Sequence, residues 1–141
     1  MKVSCLPHLT YALFLPAVLV LSACASGGQI SAKGTKLAPK LSGSVQSESL
    51  EGGNQLIIMK LYSLPKPDQL GKDLNTFMVW FIQNSNEIQR AGALEFDETK
   101  RHGFLMAATP MHHFQVMVTA EPSDMVSKPG ETLIFKTSIS N

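Results

Sequence analysis

The chain has 141 residues, with 12 basic against 11 acidic side chains and a formal net charge of +1. This length suits a single domain. The scattered, balanced charge excludes the basic stripe that neutralises nucleic-acid phosphates, so we expect no nucleic-acid partner.

Residues 1–23 have the pattern of a secretory signal peptide. Lys2 provides a positive charge near the start, and residues 11–21, YALFLPAVLVL, form an uncharged apolar core. The core has the length of a signal h-region and is shorter than the ~20 apolar residues of a membrane-spanning helix. Since no later segment reaches that length, we expect no transmembrane helix in the mature protein.

The sequence LSAC at residues 21–24 ends this core and resembles the lipobox of bacterial lipoproteins. The resemblance implies a lipid on the Cys24 thiol, cleavage before Cys24 and acylation of the new amino terminus. The only other cysteine, Cys5, lies in the segment to be removed, so a disulfide has no partner. The flanks of Cys24 offer no His or carboxylate for a nucleophile or ligand. An ordinary cleaved signal peptide is the alternative.

Several acyl chains on one residue hold a membrane more firmly than a single chain does. Residue 25 is Ala rather than Asp. In the Gram-negative families that the motif resembles, this residue implies the outer membrane, and we expect the anchored protein to face the periplasm.

Residues 24–42 are rich in Ser, Gly, Ala and Lys and have little apolar periodicity. This composition predicts a lipidated N-terminus followed by a flexible linker, with a mean reach of roughly 20–25 Å. We therefore expect the folded domain to occupy residues 43–141.

Short apolar runs divided by turn residues fill that domain, and their spacing predicts an all-β sandwich or barrel of about seven strands. The runs are SGSVQSES (42–49), NQLIIMKLYSL (54–64), NTFMVWFIQN (75–84), IQRAGALEF (88–96), GFLMAAT (103–109), HHFQVMVTAEP (112–122) and ETLIFKTSIS (131–140).

Two of the runs show how their strands are buried. In FQVMVTA, apolar residues alternate with Gln115, Met117 and Thr119, which predicts a strand with one buried face. In MVWFI both faces are apolar, as in a strand covered on both sides. We expect Trp80, the only tryptophan, to anchor the core.

The sequence contains no Gly-rich phosphate loop, CxxC, HExxH or Gly-x-Ser-x-Gly motif, so we expect neither an enzyme nor a resident cofactor. The one suggestive cluster is Met111, His112 and His113, because imidazole and thioether suit copper. Adjacent strand residues point to opposite faces, however, so His112 and His113 are poorly placed to share one ion. They remain weak candidates for a metal site.

Two further carboxylate positions have a structural and a functional interpretation. Asp97 and Glu98 lie in the polar turn DETKRH. A solvated hairpin tip is the simpler interpretation of this pair, and an acid/base pair is the functional one. Glu121 follows a strand and precedes Pro122. It is either a ligand-binding carboxylate or a strand-end group that accepts backbone N–H groups of the adjacent loop.

Residues 55–139 resemble the C-terminal extracytoplasmic domain of anti-sigma-K factors. The matching segments are TFMVWFIQ, GALEF, GFLMAATP and FQVMVTAEPSDMVSKPG. The matching positions are Phe77, Trp80, Gly92, Leu94, Thr119, Glu121, Pro122, Pro129 and Gly130. This resemblance implies an immunoglobulin-like antiparallel β-sandwich without enzymatic activity. It implies no sigma-factor partner, because the anti-sigma module of that family is cytoplasmic and has no counterpart here.

Together these patterns predict a non-enzymatic lipoprotein, bound to the membrane through Cys24, whose sandwich binds another component of the cell envelope, with a protein as the first candidate. The alternative is a carrier of a small ligand or of a metal such as copper, using Met and His residues.

Overall fold

A computed structural model of the protein describes residues 28–140. In this part of the chain, nine β-strands and one single-turn helix are present. They are β1 (Gly28–Lys33), β2 (Ser42–Ser49), β3 (Gln55–Tyr62), α1 (Pro67–Leu70), β4 (Thr76–Asn84), β5 (Glu87–Ala93), β6 (Glu95–Asp97), β7 (His102–Thr109), β8 (His113–Glu121) and β9 (Leu133–Ser140). The predicted signal peptide and the predicted lipid attachment at Cys24 lie outside the described residues.

The strands form two antiparallel sheets, one of five strands in the order β1-β2-β3-β7-β6 and one of four in the order β5-β4-β8-β9. The order β2-β3-β7-β6 corresponds to strands A, B, E and D of the immunoglobulin fold, and β5-β4-β8-β9 to C′, C, F and G. The predicted immunoglobulin-like antiparallel sandwich is therefore confirmed, with β1 added beside strand A.

The core lies between the two sheets and follows the period of two along each strand. On β8, Phe114, Val116, Val118 and Ala120 face the core, as the alternation predicts. On β3, Ile57, Met59 and Leu61 do the same, and on β4 the inward residues are Phe77, Val79 and Phe81. Fully burying side chains of this size contributes about 1.5–3 kcal/mol each, which is what holds the sheets together.

The run IQRAGALEF forms two strands rather than one. β5 pairs with β4 in the four-stranded sheet, while β6 pairs with β7 in the five-stranded sheet. Leu94 makes the crossing, since it is buried and its backbone N–H donates to the Phe77 carbonyl at 2.8 Å. A continuous apolar run does not reveal a change of sheet, and this accounts for one of the two strands beyond seven.

The flexible linker predicted for residues 24–42 is wrong from Gly28 onward. β1 pairs with β2 over six residues, from Gly28 opposite Ser47 to Lys33 opposite Ser42. Ala32, Ala38 and Leu41 are buried in the core. The small polar residues of this segment conceal the pattern, because an edge strand is held largely by backbone hydrogen bonds and needs few large side chains.

The turn after β1 also joins the two sheets. The Thr35 N–H donates to the Ile134 carbonyl at 3.0 Å, and the Thr35 hydroxyl donates to the Leu133 carbonyl at 2.8 Å. The start of β9 is thereby tied to the segment that leaves β1. Residues 28–42 are consequently part of the domain.

The antiparallel pairing gives the sandwich two ends. We call proximal the end at which β1 begins, which holds Gly28, the 50–54 and 84–87 turns, and the 110–112 loop. We call the opposite end distal, and it holds the turns at 34–41, 63–75, 98–101 and 122–132. Over residues 28–140, no helix combines the length and the apolar character needed to cross a membrane.

Candidate functional site

The outer face of the four-stranded sheet is apolar but covered. Met78 and Trp80 alternate with the inward residues of β4, so they point away from the inter-sheet core, yet both are fully buried. Arg90, the register partner of Trp80, donates from Nη1 to the Asp124 and Val126 carbonyls, both at 3.2 Å. The loop after β8 is thus tied across this face. Trp80 is buried as expected, but beneath this loop rather than between the sheets.

A chain of hydrogen bonds stabilises the loop from below. The Trp80 indole N–H donates to Thr119 Oγ1 at 2.9 Å, and the Thr119 hydroxyl donates to Glu121 Oε1 at 2.5 Å. The same carboxylate oxygen accepts the Gly130 N–H at 2.6 Å. Glu121 is therefore a strand-end carboxylate bound to the adjacent loop. Glu121, Pro122, Pro129 and Gly130, which stand out in the sequence, lie in or beside this covering loop.

The outer face of the five-stranded sheet carries an apolar patch on β3 and β7, bordered by polar side chains such as Gln46 and Lys60. We use the name "open face" for a cluster of outward-pointing apolar side chains on β3 and β7. Its members are Leu56, Ile58, Phe104, Met106 and Ala108. Ile58 lies opposite Met106 in the register, and Leu56 lies opposite Ala108. Met106 is 55% exposed. Leu56, Ile58 and Phe104 are half-buried around it, so the cluster presents an apolar patch centred on Met106. Apolar patches of this kind on a monomer can mark binding surfaces.

A shallow depression of about 540 Å³ borders the open face toward the distal end. Tyr62, 41% exposed, packs edge-to-face against the His102 ring, with centroids 4.8 Å apart. Lys60, Glu95 and Asp97 add charges of both signs to its wall. An apolar surface bordered by mixed charges and an amphipathic tyrosine is the usual composition of a protein–protein interface.

The structure disperses the Met and His residues that lie close in sequence. His113 begins β8 opposite Ser140, and His112 lies in the preceding loop, where its Nδ1 is 3.3 Å from the Gln55 side-chain nitrogen. Met111 packs partly against the core. Met106 and Met117 lie on the outer faces of different sheets. Among residues 28–140, no three His, Cys, Asp or Glu side chains are grouped so as to hold a metal ion.

Asp97 occupies a hairpin tip, as predicted for the DETKRH turn. Its Oδ1 accepts the backbone N–H groups of Lys100 and Thr99, each at 2.9 Å. These hydrogen bonds, that of Lys100 foremost, lower the pKa of the Asp97 carboxyl from its ordinary value of 3.8. The Asp97 side chain is exposed to solvent, and its hydrogen bonds stabilise the turn between β6 and β7.

The sequence matches no protein family, and neither a curated protein nor a solved structure is similar to it at a significant level.

Sequence reasoning missed the open face. The signal was present, because the second alternating set in LIIMKLY and GFLMAAT is also mostly apolar, Lys60 being its one charged member. In a two-layer sandwich only one of these sets can face the core. The other set needs a cover, and on this sheet the described part of the chain provides none for Met106.

Proposed function

We propose that the protein is a non-enzymatic lipoprotein, anchored through Cys24 in the outer membrane and facing the periplasm, whose β-sandwich binds another protein of the cell envelope. The lipobox at residues 21–24 supports the anchor, and the resemblance to the extracytoplasmic domain of anti-sigma-K factors supports an envelope location. The binding surface that we assign is the open face. We propose no sigma factor as the partner.

The assignment of the binding surface rests on the contrast between the outer faces of the two sheets. The four-stranded sheet carries Met78 and Trp80, and the chain covers them with its own loop. The five-stranded sheet carries apolar residues of similar size, with Met106 and Tyr62 exposed to solvent. Because exposed apolar area is costly in water, a face left open in this way is best explained by a partner that covers it.

Two of the four sheet edges are less suitable than this face. An open edge strand can accept a strand of a partner. At the β9 edge, however, the Leu133 and Ile134 carbonyls already accept hydrogen bonds from Thr35. At the part of β7 that β6 leaves unpaired, the Gln89 side chain donates to the Ala108 carbonyl at 3.2 Å and accepts the Thr109 hydroxyl at 2.7 Å. The protein itself therefore partly closes these two edges.

The binding surface can be tested by photo-crosslinking in intact cells. A photoreactive residue replaces Met106 on the open face or, as a matched control, Ile88, an exposed apolar residue on the edge strand β5 of the other sheet. We expect one covalent adduct of defined mass from position 106 and none from position 88. In a chain labelled at Tyr62, the added Met106→Glu change should abolish the adduct. No adduct from position 106, or equal adducts from both positions, would contradict the proposal.

The anchor is tested separately. Wild-type protein should fractionate with membranes and carry acyl chains on the peptide that begins at Cys24, as seen by mass spectrometry. The Cys24→Ser variant should lack this modification. An unmodified, soluble wild-type protein would refute the anchor while leaving the crosslinking result to decide the binding surface.

A further inference from the structure

We infer that a pocket at the distal end binds an anionic amphiphile, meaning a carboxylate or phosphate attached to a short apolar group. The pocket lies between the turn after β1, the turn after β3 and the hairpin between β6 and β7. Its volume is about 490 Å³, within the range of small-molecule sites. The inference does not depend on the proposed function, because every residue of the pocket lies within 28–140.

The charge of the pocket sets the sign of its ligand. Lys40, Lys100 and Arg101 line it, and no Asp or Glu does. Glu98 is instead paired with Lys66, their charged atoms being 3.4 Å apart, and Asp97 lines the depression beside the open face. Asp97 lies close enough to Lys100 for their charges to interact, but it does not line the cavity. Three cations and no carboxylate in the lining favour an anion.

Arg101 is the best placed of the three cations. Its Nη1 donates to the Leu64 carbonyl at 3.1 Å and lies 3.5 Å from Gln69 Oε1, which fixes the position of the guanidinium. No acceptor within residues 28–140 engages Nε or Nη2. A guanidinium has five N–H donors in a rigid fork that matches carboxylate and phosphate oxygens, so the remaining donors are available to such a group.

The backbone around the pocket adopts an unusual conformation. Ser63 and Arg101 are the only non-glycine residues within 28–140 with positive φ, at 56° and 58°. Both line the pocket. The Leu64 N–H donates to the Arg101 carbonyl at 3.1 Å, so this bond and the guanidinium bond hold the two turns together. Left-handed non-glycine residues persist where surrounding contacts impose them, and they cluster at ligand sites.

Most of the remaining lining is apolar and accounts for the second half of the ligand. The apolar residues are Leu37, Ala38, Pro39, Leu64 and Pro65, and Ser63 and Gln69 complete the lining. Leu37 is 51% exposed, whereas Ala38 and Leu64 are buried. A purely inorganic anion would leave Leu37 and Pro39 in water, so a ligand with a short hydrocarbon part fits better. Such a ligand could be a lipid headgroup with its glycerol region or a free organic acid.

The test uses the full chain with isothermal titration calorimetry. Protein that fractionates with membranes is held in nanodiscs of neutral phospholipid, with empty discs as the blank, and soluble protein is used in buffer. The probes are hexyl phosphate, hexanoate and the neutral analogue hexanol. We expect saturable one-to-one binding of both anions and at least tenfold weaker binding of hexanol. Hexanol binding as tight as that of the anions would overturn the inference. So would the absence of saturable binding of either anion, if anionic vesicles also fail to bind.

Paired variants assign the binding to this pocket. Lys40→Ala with Lys100→Ala should weaken hexyl phosphate binding at least tenfold. The matched control, Lys36→Ala with Lys72→Ala, removes two exposed lysines that do not line the pocket and should bind like the parent. Equal weakening in both pairs would contradict the assignment. Unchanged thermal unfolding of both pairs shows that each is folded.

A vesicle arm identifies the source of the anion. The same preparation, in discs or in buffer, is sedimented with vesicles of phosphatidylglycerol or of phosphatidylcholine. Binding to the former alone, lost in the Lys40→Ala, Lys100→Ala variant, identifies a lipid headgroup as the ligand. Binding of the soluble anions without vesicle binding identifies a free organic acid or phosphate.

Discussion

The Trp80 indole N–H donates to the Thr119 hydroxyl at 2.9 Å, joining β4 and β8 on the side of the sheet that faces away from the inter-sheet core. Both residues are fully buried. Because the Thr119 hydroxyl also donates a hydrogen bond to Glu121, which accepts the Gly130 N–H, this one hydroxyl links the buried indole to the loop that covers it. The sandwich thus has a second buried layer, with polar groups at its centre.

The Thr119→Val substitution removes that hydroxyl with little change in shape. The Trp80 N–H loses its acceptor and Glu121 loses a donor, and leaving a buried polar group unsatisfied costs about 1–3 kcal/mol. We expect urea unfolding to show a loss of free energy of unfolding in this range. Thr119→Ser, which keeps the hydroxyl, is the control and should lose less.

A loss below about 0.5 kcal/mol for Thr119→Val, or equal losses for both variants, would show that the hydroxyl contributes little. A double-mutant cycle with Trp80→Phe then measures the bond itself, since Phe has no donor and removes the partner of the hydroxyl.

The Arg90→Ala substitution should loosen the covering loop. Arg90 donates to the carbonyls of Asp124 and Val126, and no other side chain within residues 28–140 does so. Since Trp80 is the only tryptophan, its fluorescence reports directly on the cover. We expect wild-type emission to be weakly quenched by acrylamide and quenching to increase severalfold in Arg90→Ala.

The control for this experiment is Lys60→Ala, which removes an exposed cation from the other sheet. Its quenching should equal that of the wild type. If Arg90→Ala is quenched no more than Lys60→Ala, the loop is held by other contacts, of which the Gly130 N–H bond to Glu121 is the first to examine.

Leu37 and Leu41 distinguish a folded N-terminal segment from a linker. Leu41 is 3% exposed, whereas Leu37 is 51% exposed. Truncating a buried leucine typically costs 2–5 kcal/mol, so we expect Leu41→Ala to lower the free energy of unfolding by about 2–3 kcal/mol. Leu37→Ala should change it by less than about 0.5 kcal/mol. Equal, near-zero effects would restore the linker interpretation.

Asp97 predicts a specific pH dependence. Hydrogen bonds from Lys100 and Thr99 depress its pKa in the folded protein below the ordinary value of 3.8. The stabilisation is therefore complete above that value and is lost as the pH falls through the folded pKa. NMR titration of the Asp97 carboxyl should give a midpoint below 3.8.

The Asp97→Asn variant keeps a side-chain acceptor for the turn but does not ionise. Its stability relative to the wild type should therefore be lowest at neutral pH and should approach the wild type as the pH falls below 3.8. A difference between the two proteins that stays constant over this range would show that ionisation of Asp97 does not support the turn.

The order and character of the strands were predictable because a period of two with turn residues between runs is a local property. The seven predicted runs all contain strands, and the inward set on β8 is the predicted one. The division of the fourth run at Leu94 was not predictable, since the change of sheet depends on a hydrogen bond to Phe77, a residue 17 positions earlier. β1 was missed because its partner β2 supplies most of its stabilisation.

The candidate surfaces illustrate a different limit. Trp80 was expected to be buried and is, but only the tertiary structure shows that a later loop covers it. The open face and the distal pocket both combine residues from separate runs, and Lys40 and Arg101 are 61 positions apart. No local pattern brings such residues together. The weak metal candidates Met111, His112 and His113 lie next to one another in sequence, but adjacency along a strand does not direct side chains to one point.

The early start of β1 changes how the domain would meet its surroundings. Only residues 25–27 separate Cys24 from Gly28, so the chain between them spans about 13–14 Å at most. If Cys24 is the anchor that we propose, a connection this short would let the domain pivot about the anchor but would keep it close to the bilayer. The domain would then search for the proposed partner by lateral diffusion in two dimensions. That partner would have to present its binding surface at one narrow height above the bilayer, a geometric demand that affinity alone does not impose.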